Sequence, residues 1–128
     1  RAIQLDPGNA SAYNNRGLAN SDLGEYQKAI EDYDAAIRLA PGNRDNAQAY
    51  VNRGVAYADL GQPNLALQDS REALRLNPEF GRAYALGAVA YTLLGDDQKA
   101  REDLDLAIGL GISRDFLEGT LEETKKRR

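Results

Sequence analysis

Three acidic pairs, Glu31/Asp32, Asp96/Asp97 and Glu102/Asp103, are the residues of this chain whose type best suits chemistry. Two carboxylates held together can exchange protons or bind a divalent cation. Their spacing argues against both, because neighbours on a helix point about 100° apart and do not converge on one proton or ion. Arg16 and Arg53 are the more telling charges. Each is followed 16 residues later by an aspartate, Asp32 and Asp69. If the helices that carry them pair antiparallel, each arginine meets its aspartate, and a partly buried guanidinium needs that partner because an unpaired buried charge is costly. Structural salt bridges Arg16–Asp32 and Arg53–Asp69 are therefore expected, with recognition of a ligand by the two arginines as the alternative. No third bridge is expected, since Gly87 stands in the arginine's place although Asp103 remains.

The rest of the usual catalytic apparatus is missing. The chain has no His and no Cys, so it lacks the commonest general base, the commonest metal ligands and a thiol nucleophile. No glycine-rich phosphate loop of the GxxxxGK[ST] or GxGxxG kind appears. We assign no catalytic, cofactor-binding or metal-binding residues and do not expect an enzyme. A formal net charge of −4 argues against nucleic acid as the partner. No apolar run is long enough to span a membrane. The lack of cysteine fits a reducing compartment, the cytoplasm first among them.

The elements that position the charges follow from a repeat. Tyr13, Gly17, Leu23, Gly24, Ala29, Ala36 and Pro41 recur 37 residues on as Tyr50, Gly54, Leu60, Gly61, Ala66, Ala73 and Pro78. A third pass gives Tyr84, Leu94, Gly95, Ala100 and Ala107, each 34 residues further. Ala2, Ile3, Leu5 and Pro7 anticipate Ala36, Ile37, Leu39 and Pro41 at the same distance of 34. A fixed period in this range means stacked helical units rather than one closed core, and no unit buries its own apolar face. Helices are predicted from about Ala10 to Leu23, Tyr26 to Ala40, Ala47 to Leu60, Pro63 to Leu76, Phe80 to Leu94 and Asp97 to Leu110. Asn9 suits an N-cap, Gly24 a left-handed helix end, and Pro63 the first turn of a helix. Gly17 and Gly54 let the partner helix approach closely.

The pattern resembles the tetratricopeptide repeat, whose signature runs W-x2-L-G-x2-Y, then A-x3-F, then P. The units read YNNRGLAN with AIEDY and a proline, YVNRGVAY with ALQDS and a proline, and YALGAVAY with AREDL. The resemblance implies an all-α solenoid of three helix-turn-helix repeats with a C-terminal capping helix. The domain order is residues 1–9 as the end of a preceding repeat, then repeats at 10–43, 47–80 and 81–114. Residues 44–46 are an insertion, and 115–128 the cap. Asn20 and Ser70 replace aromatic residues of the signature and are expected to leave loose packing. Asn43–Asn46 reads as a polar loop. In the last helix, from about Ser113 to Lys126, the apolar residues are Phe116, Leu117 and Leu121, and the KKRR end is expected to be solvated.

The family lines a concave face with the first helix of each unit, so the resemblance implies protein–protein interaction there. Helical spacing puts Ser11, Asn15, Leu18 and Asp22 on that face, then Gln48, Asn52, Val55 and Asp59, then Arg82, Leu86, Val89 and Leu93. Asn15 and Asn52 occupy equivalent places, and a row of side-chain amides can pair with the backbone of an extended peptide. The family's carboxylate clamp for acidic chaperone tails needs Lys and Asn, then Asn, then Lys and Arg in successive units. Taking its places as Asn14, Leu18, Asn52, Arg82 and Leu86, only Asn52 and the charge of Arg82 agree, so such a tail is not expected. The expected function is a scaffold that binds a peptide or partner segment. Self-association through an exposed N-terminal stacking face and service as an accessory module of a larger enzyme are the alternatives. Arg1 falls inside a helix-like run, so a longer protein is expected.

Overall fold

The structure, a computed structural model, describes residues 8–128. Seven helices follow one another in it: α1 Ala10–Asp22, α2 Tyr26–Leu39, α3 Asn46–Asp59, α4 Pro63–Leu76, α5 Gly81–Leu93, α6 Asp97–Gly109 and α7 Arg114–Lys125. No strand occurs among the described residues, and none of these helices is long and apolar enough to cross a membrane. The expected remnant of a preceding unit, apart from Gly8 and Asn9, lies outside the described residues.

Local chemistry sets the boundaries. The Asn9 side chain accepts from the Ala12 N–H at 3.1 Å, and Asp96 and Ser113 cap α6 and α7 in the same way. Gly24, Gly61 and Gly95 turn the chain after α1, α3 and α5 at φ +77°, +75° and +82°, where a side chain would be strained. Each turn folds the next helix back, so α1 packs on α2, α3 on α4 and α5 on α6. Successive hairpins stack through α2 against α3 and α4 against α5. The helices α1, α3, α5 and α7 touch in sequence and form an inner layer, with α2, α4 and α6 outside.

Small residues make the pairing close. Ala29, Ala66, Ala73, Ala88 and Ala107 are fully or almost fully buried. A Cβ on Gly17 would stand 2.5 Å from the Tyr33 ring, so only glycine lets that ring lie across α1. In the second unit Ser70 takes the place of Tyr33, and Leu86 from the next unit fills the space above Gly54 instead. The expected looseness at Ser70 and Asn20 is therefore corrected. Ser70 is buried and donates to the Ala83 carbonyl at 2.7 Å, while Asn20 Nδ2 donates to Asp32 at 3.0 Å.

Two further expectations change. The polar loop is shorter than the sequence suggested, because Asn46 opens α3 and is only 5% exposed. Its amide donates to the Ala40 and Ile37 carbonyls and so closes the end of α2, leaving only the turn before it as inserted loop. In α7, Leu117 and Leu121 pack on Ala88, Leu104 and Ala107, but Phe116 is 67% exposed. Leu117, Leu121 and Thr124 form one stripe at helical spacing, and Phe116 lies about 100° off it.

Candidate functional site

An open cavity of about 570 Å³ runs along the inner layer between α3, α5 and α7. Each helix contributes one stripe at helical spacing: Val51, Val55 and Ala58 from α3, Arg82, Leu86 and Val89 from α5, and Phe116, Thr120 and Arg127 from the capping segment. Val55 and Phe116 offer apolar surface to solvent, and Leu86 forms the floor. Arg82 is exposed at the rim, and its side chain forms no hydrogen bond or ion pair among the described residues.

The last two arginines fasten the end of the capping segment to the inner helices, and Arg127 borders the groove. Arg127 Nη2 donates to the Ala58 carbonyl at 2.8 Å, and its Nη1 lies 3.7 Å from Asp59. Burial pushes the Asp59 carboxyl up, and Arg127 pulls it partly back. Arg128 Nη1 donates to the Thr92 carbonyl at 3.0 Å and to Asp97 at 2.7 Å. Both carbonyls belong to the last turns of inner helices, where a cation is favourable. The KKRR end is thus partly engaged rather than solvated throughout.

Of the expected groove residues, Val55, Asp59, Arg82, Leu86 and Val89 come together in this cavity. Leu86 is 4% exposed and belongs to the core cluster, so it supplies floor rather than a free contact. Ser11, Asn15, Leu18, Asp22, Gln48 and Asn52 do not line it. Asn52 is buried, accepts from Gln48 Nε2 at 2.8 Å and donates to Asn14 Oδ1 at 3.1 Å. The amide row is corrected accordingly: Asn15 is exposed and Asn52 already bonded. The two places differ because α1 lies over Asn52, whereas no described helix lies over Asn15 in the same way. Ile112, Phe116, Thr120 and Arg127 were missed, since an amphipathic cap with few apolar residues carries little sign of its second, groove-facing side.

The charges first noticed lie elsewhere, between the inner and outer helices. Arg16 Nη2 is 2.7 Å from Asp32, and Arg53 Nη2 is 2.7 Å from Asp69. Arg53 Nη1 also reaches Asp34 on α2 at 2.8 Å, a partner the spacing did not indicate. Its guanidinium lies 5.3 Å and 5.8 Å from the Tyr50 and Tyr57 rings. Burial disfavours the Arg53 charge, and the bonds from Asp69 and Asp34 outweigh that, so it is held protonated above its ordinary value. Among the described residues no cluster of three or more metal-ligating side chains occurs.

The model of the tetratricopeptide repeat matches residues 10–43 and 47–80, more than half of the chain, and the chain belongs to that family. No curated protein matches it. Among solved structures, the second such domain of human RPAP3, in complex with the HSP70 peptide SGPTIEEVD, is 27% identical. The match covers 91% of this chain and 94% of that one, with a TM-score of 0.76. The second domain of Spaghetti (RPAP3), bound to the HSP90 peptide SRMEEVD, is 29% identical over 79% of this chain and 91% of that one, TM-score 0.73. The Sgt2 domain from Aspergillus fumigatus is 28% identical over 92% and 78%, TM-score 0.78.

Proposed function

We propose that this chain is a non-enzymatic protein-interaction module that seats a segment of another protein in the groove between α3, α5 and α7. The observation that carries this reading is an open, mostly apolar groove with an unpaired cation, Arg82, at its rim. Exposed apolar surface of this kind in a concave site marks a place for a partner. Similar domains were captured with peptides, which supports the same class of ligand here.

The details favour an apolar anchor over a clamped acidic tail. At the clamp's places stand Asn14, Leu18, Asn52, Arg82 and Leu86. Only Asn52 and the charge of Arg82 agree with it, and Asn52 is engaged within the protein by Gln48 and Asn14. One cation in place of three recognises a single carboxylate, not a run of them. The ligand is a segment with a bulky apolar side chain for the Val55–Val89–Phe116 surface and an acidic group within reach of Arg82.

Selection from a random twelve-residue phage library tests this. Enriched peptides should share an apolar residue near one acidic residue, lose binding to Val89→Asp, and bind Arg82→Ala about 3- to 10-fold more weakly. Enrichment of peptides indifferent to Val89→Asp would remove the groove from the account, and preferential capture of SGPTIEEVD-like tails would restore the clamp.

A further inference from the structure

The chain builds one arrangement twice and leaves it incomplete a third time. At the junction of the first two units, Arg53 from α3 sits between Asp34 of α2 and Asp69 of α4, against the rings of Tyr50 and Tyr57. In the first unit, Arg16 pairs with Asp32 beside Tyr13. The corresponding residues at the next junction are Arg71 for Asp34, Gly87 for Arg53, Asp103 for Asp69, and Tyr84 and Tyr91 for the two tyrosines. The carboxylate and the aromatic residues of a guanidinium site remain, while the guanidinium is gone.

The consequences are visible at Asp103. Asp32 and Asp69, covered by their arginines, are 5% and 3% exposed, whereas Asp103 is only half-buried. Its carboxylate leans over Gly87, into the space where an arginine side chain would begin. Neighbouring cations do not close the gap. Arg71 lies with Nη2 3.5 Å from the Tyr91 hydroxyl, Lys99 sits 5.7 Å from the Tyr91 ring beside Asp96, and no ion pair joins either to Asp103 among the described residues. A half-buried carboxylate with no ion-pair contact, which Arg71 acts on only from a distance, is a poor arrangement for the isolated molecule and a good one for a cation supplied from outside.

We infer that the outer face of the third unit is a receptor for an arginine side chain of a partner protein, which pairs with Asp103 beside Tyr91 as Arg53 pairs with Asp69 beside Tyr57. The chain's own second unit shows which cation fits, since a planar guanidinium can bond a carboxylate through two N–H groups and stack on an aromatic ring at once. This face is separate from the groove and does not depend on how the groove is read. The charged groups around Asp103 are Glu102 on its own helix and Arg71 on α4, whose Nη2 also meets the Tyr91 hydroxyl on α5. Burial first, then Glu102, push the Asp103 carboxyl up to about 6, against the pull of Arg71.

Titration with N-acetyl-arginine amide, followed by amide and carboxyl NMR, tests the proposal, with N-acetyl-citrulline amide as the uncharged control. Saturable shifts at Gly87, Tyr91 and Asp103 are expected, at least tenfold weaker with citrulline, and the Asp103 midpoint should fall from about 6 towards ordinary carboxylate values as arginine binds. Asp103→Asn should abolish the shifts, and Gly87→Arg, which supplies the missing side chain internally, should block them, with both variants confirmed folded by circular dichroism. Shifts that persist in Asp103→Asn, equal shifts with citrulline, or no saturable shift would overturn the proposal. Binding that appears only in Arg71→Ala would overturn it too, since Arg71 would then be the internal occupant.

Discussion

Arg53 holds two carboxylates from two different helices, and its side chain is 21% exposed against 36% for Arg16, which holds one. Removing Arg53 leaves two carboxylates without their cation, whereas Asp32 keeps the bond from Asn20 when Arg16 is removed. Arg53→Ala should therefore cost about 3 kcal/mol and Arg16→Ala about 1 kcal/mol, measured by urea unfolding. Equal losses would mean that Asp69 is rehydrated as easily as Asp32. Asp103 provides the opposite case. Its folded value of about 6 lies above its unfolded 3.8, so the unfolded chain releases its proton first. Stability from this residue is complete below about pH 4 and lost as pH rises through about 6. Asp103→Asn should flatten that decline and, because the carboxyl keeps some contact with water, raise stability at pH 8 by about 1 to 2 kcal/mol. Unchanged pH dependence in the variant would contradict this. The first two arginine–aspartate pairings were legible because charge and period coincided. The Asp34 contact was not, because it crosses between units and the 16-residue spacing describes contacts within one.

At the scale of the helices, the sequence marks where most elements begin and end, since Gly24, Gly61, Gly95 and Pro63 act on their own backbone. Asn46 escaped because its role is tertiary: it opens one helix while its side chain closes another. Asn46→Ala should cost about 1 kcal/mol and speed amide exchange at the end of α2, whereas a simple loop residue would change neither. Leu86 was placed in the groove by spacing and drawn into the core by a vacancy left by Ser70, which no single-helix pattern records. Phe116 and Leu117 are adjacent and cannot both face inwards, and the sequence alone did not say which of them would. The last arginines fasten α7 across the inner layer by bonds to Ala58 and Thr92. Exchanging both for alanine should leave overall helicity intact while raising hydrogen exchange in the last two turns of α7 and loosening the groove wall. Unaltered exchange there would mean that Leu117 and Leu121 alone hold the helix.

Across the whole molecule, stacked hairpins give a core of small residues and two faces with different chemistry. The inner layer offers an apolar groove, and the arginine–aspartate pairs join inner helices to outer ones. The stacking was legible because it is periodic. The composition of the groove was only half legible, because one of its walls is the non-repeating α7, whose side chains follow no period. The central claim is that the groove receives the apolar partner segment. Amide NMR mapping of the chain against a peptide taken from the library selection tests it most directly. The account predicts shifts concentrated at Val55, Arg82, Val89, Phe116 and Thr120. Shifts confined to α2, α4 and α6, with those five amides unmoved, would contradict it.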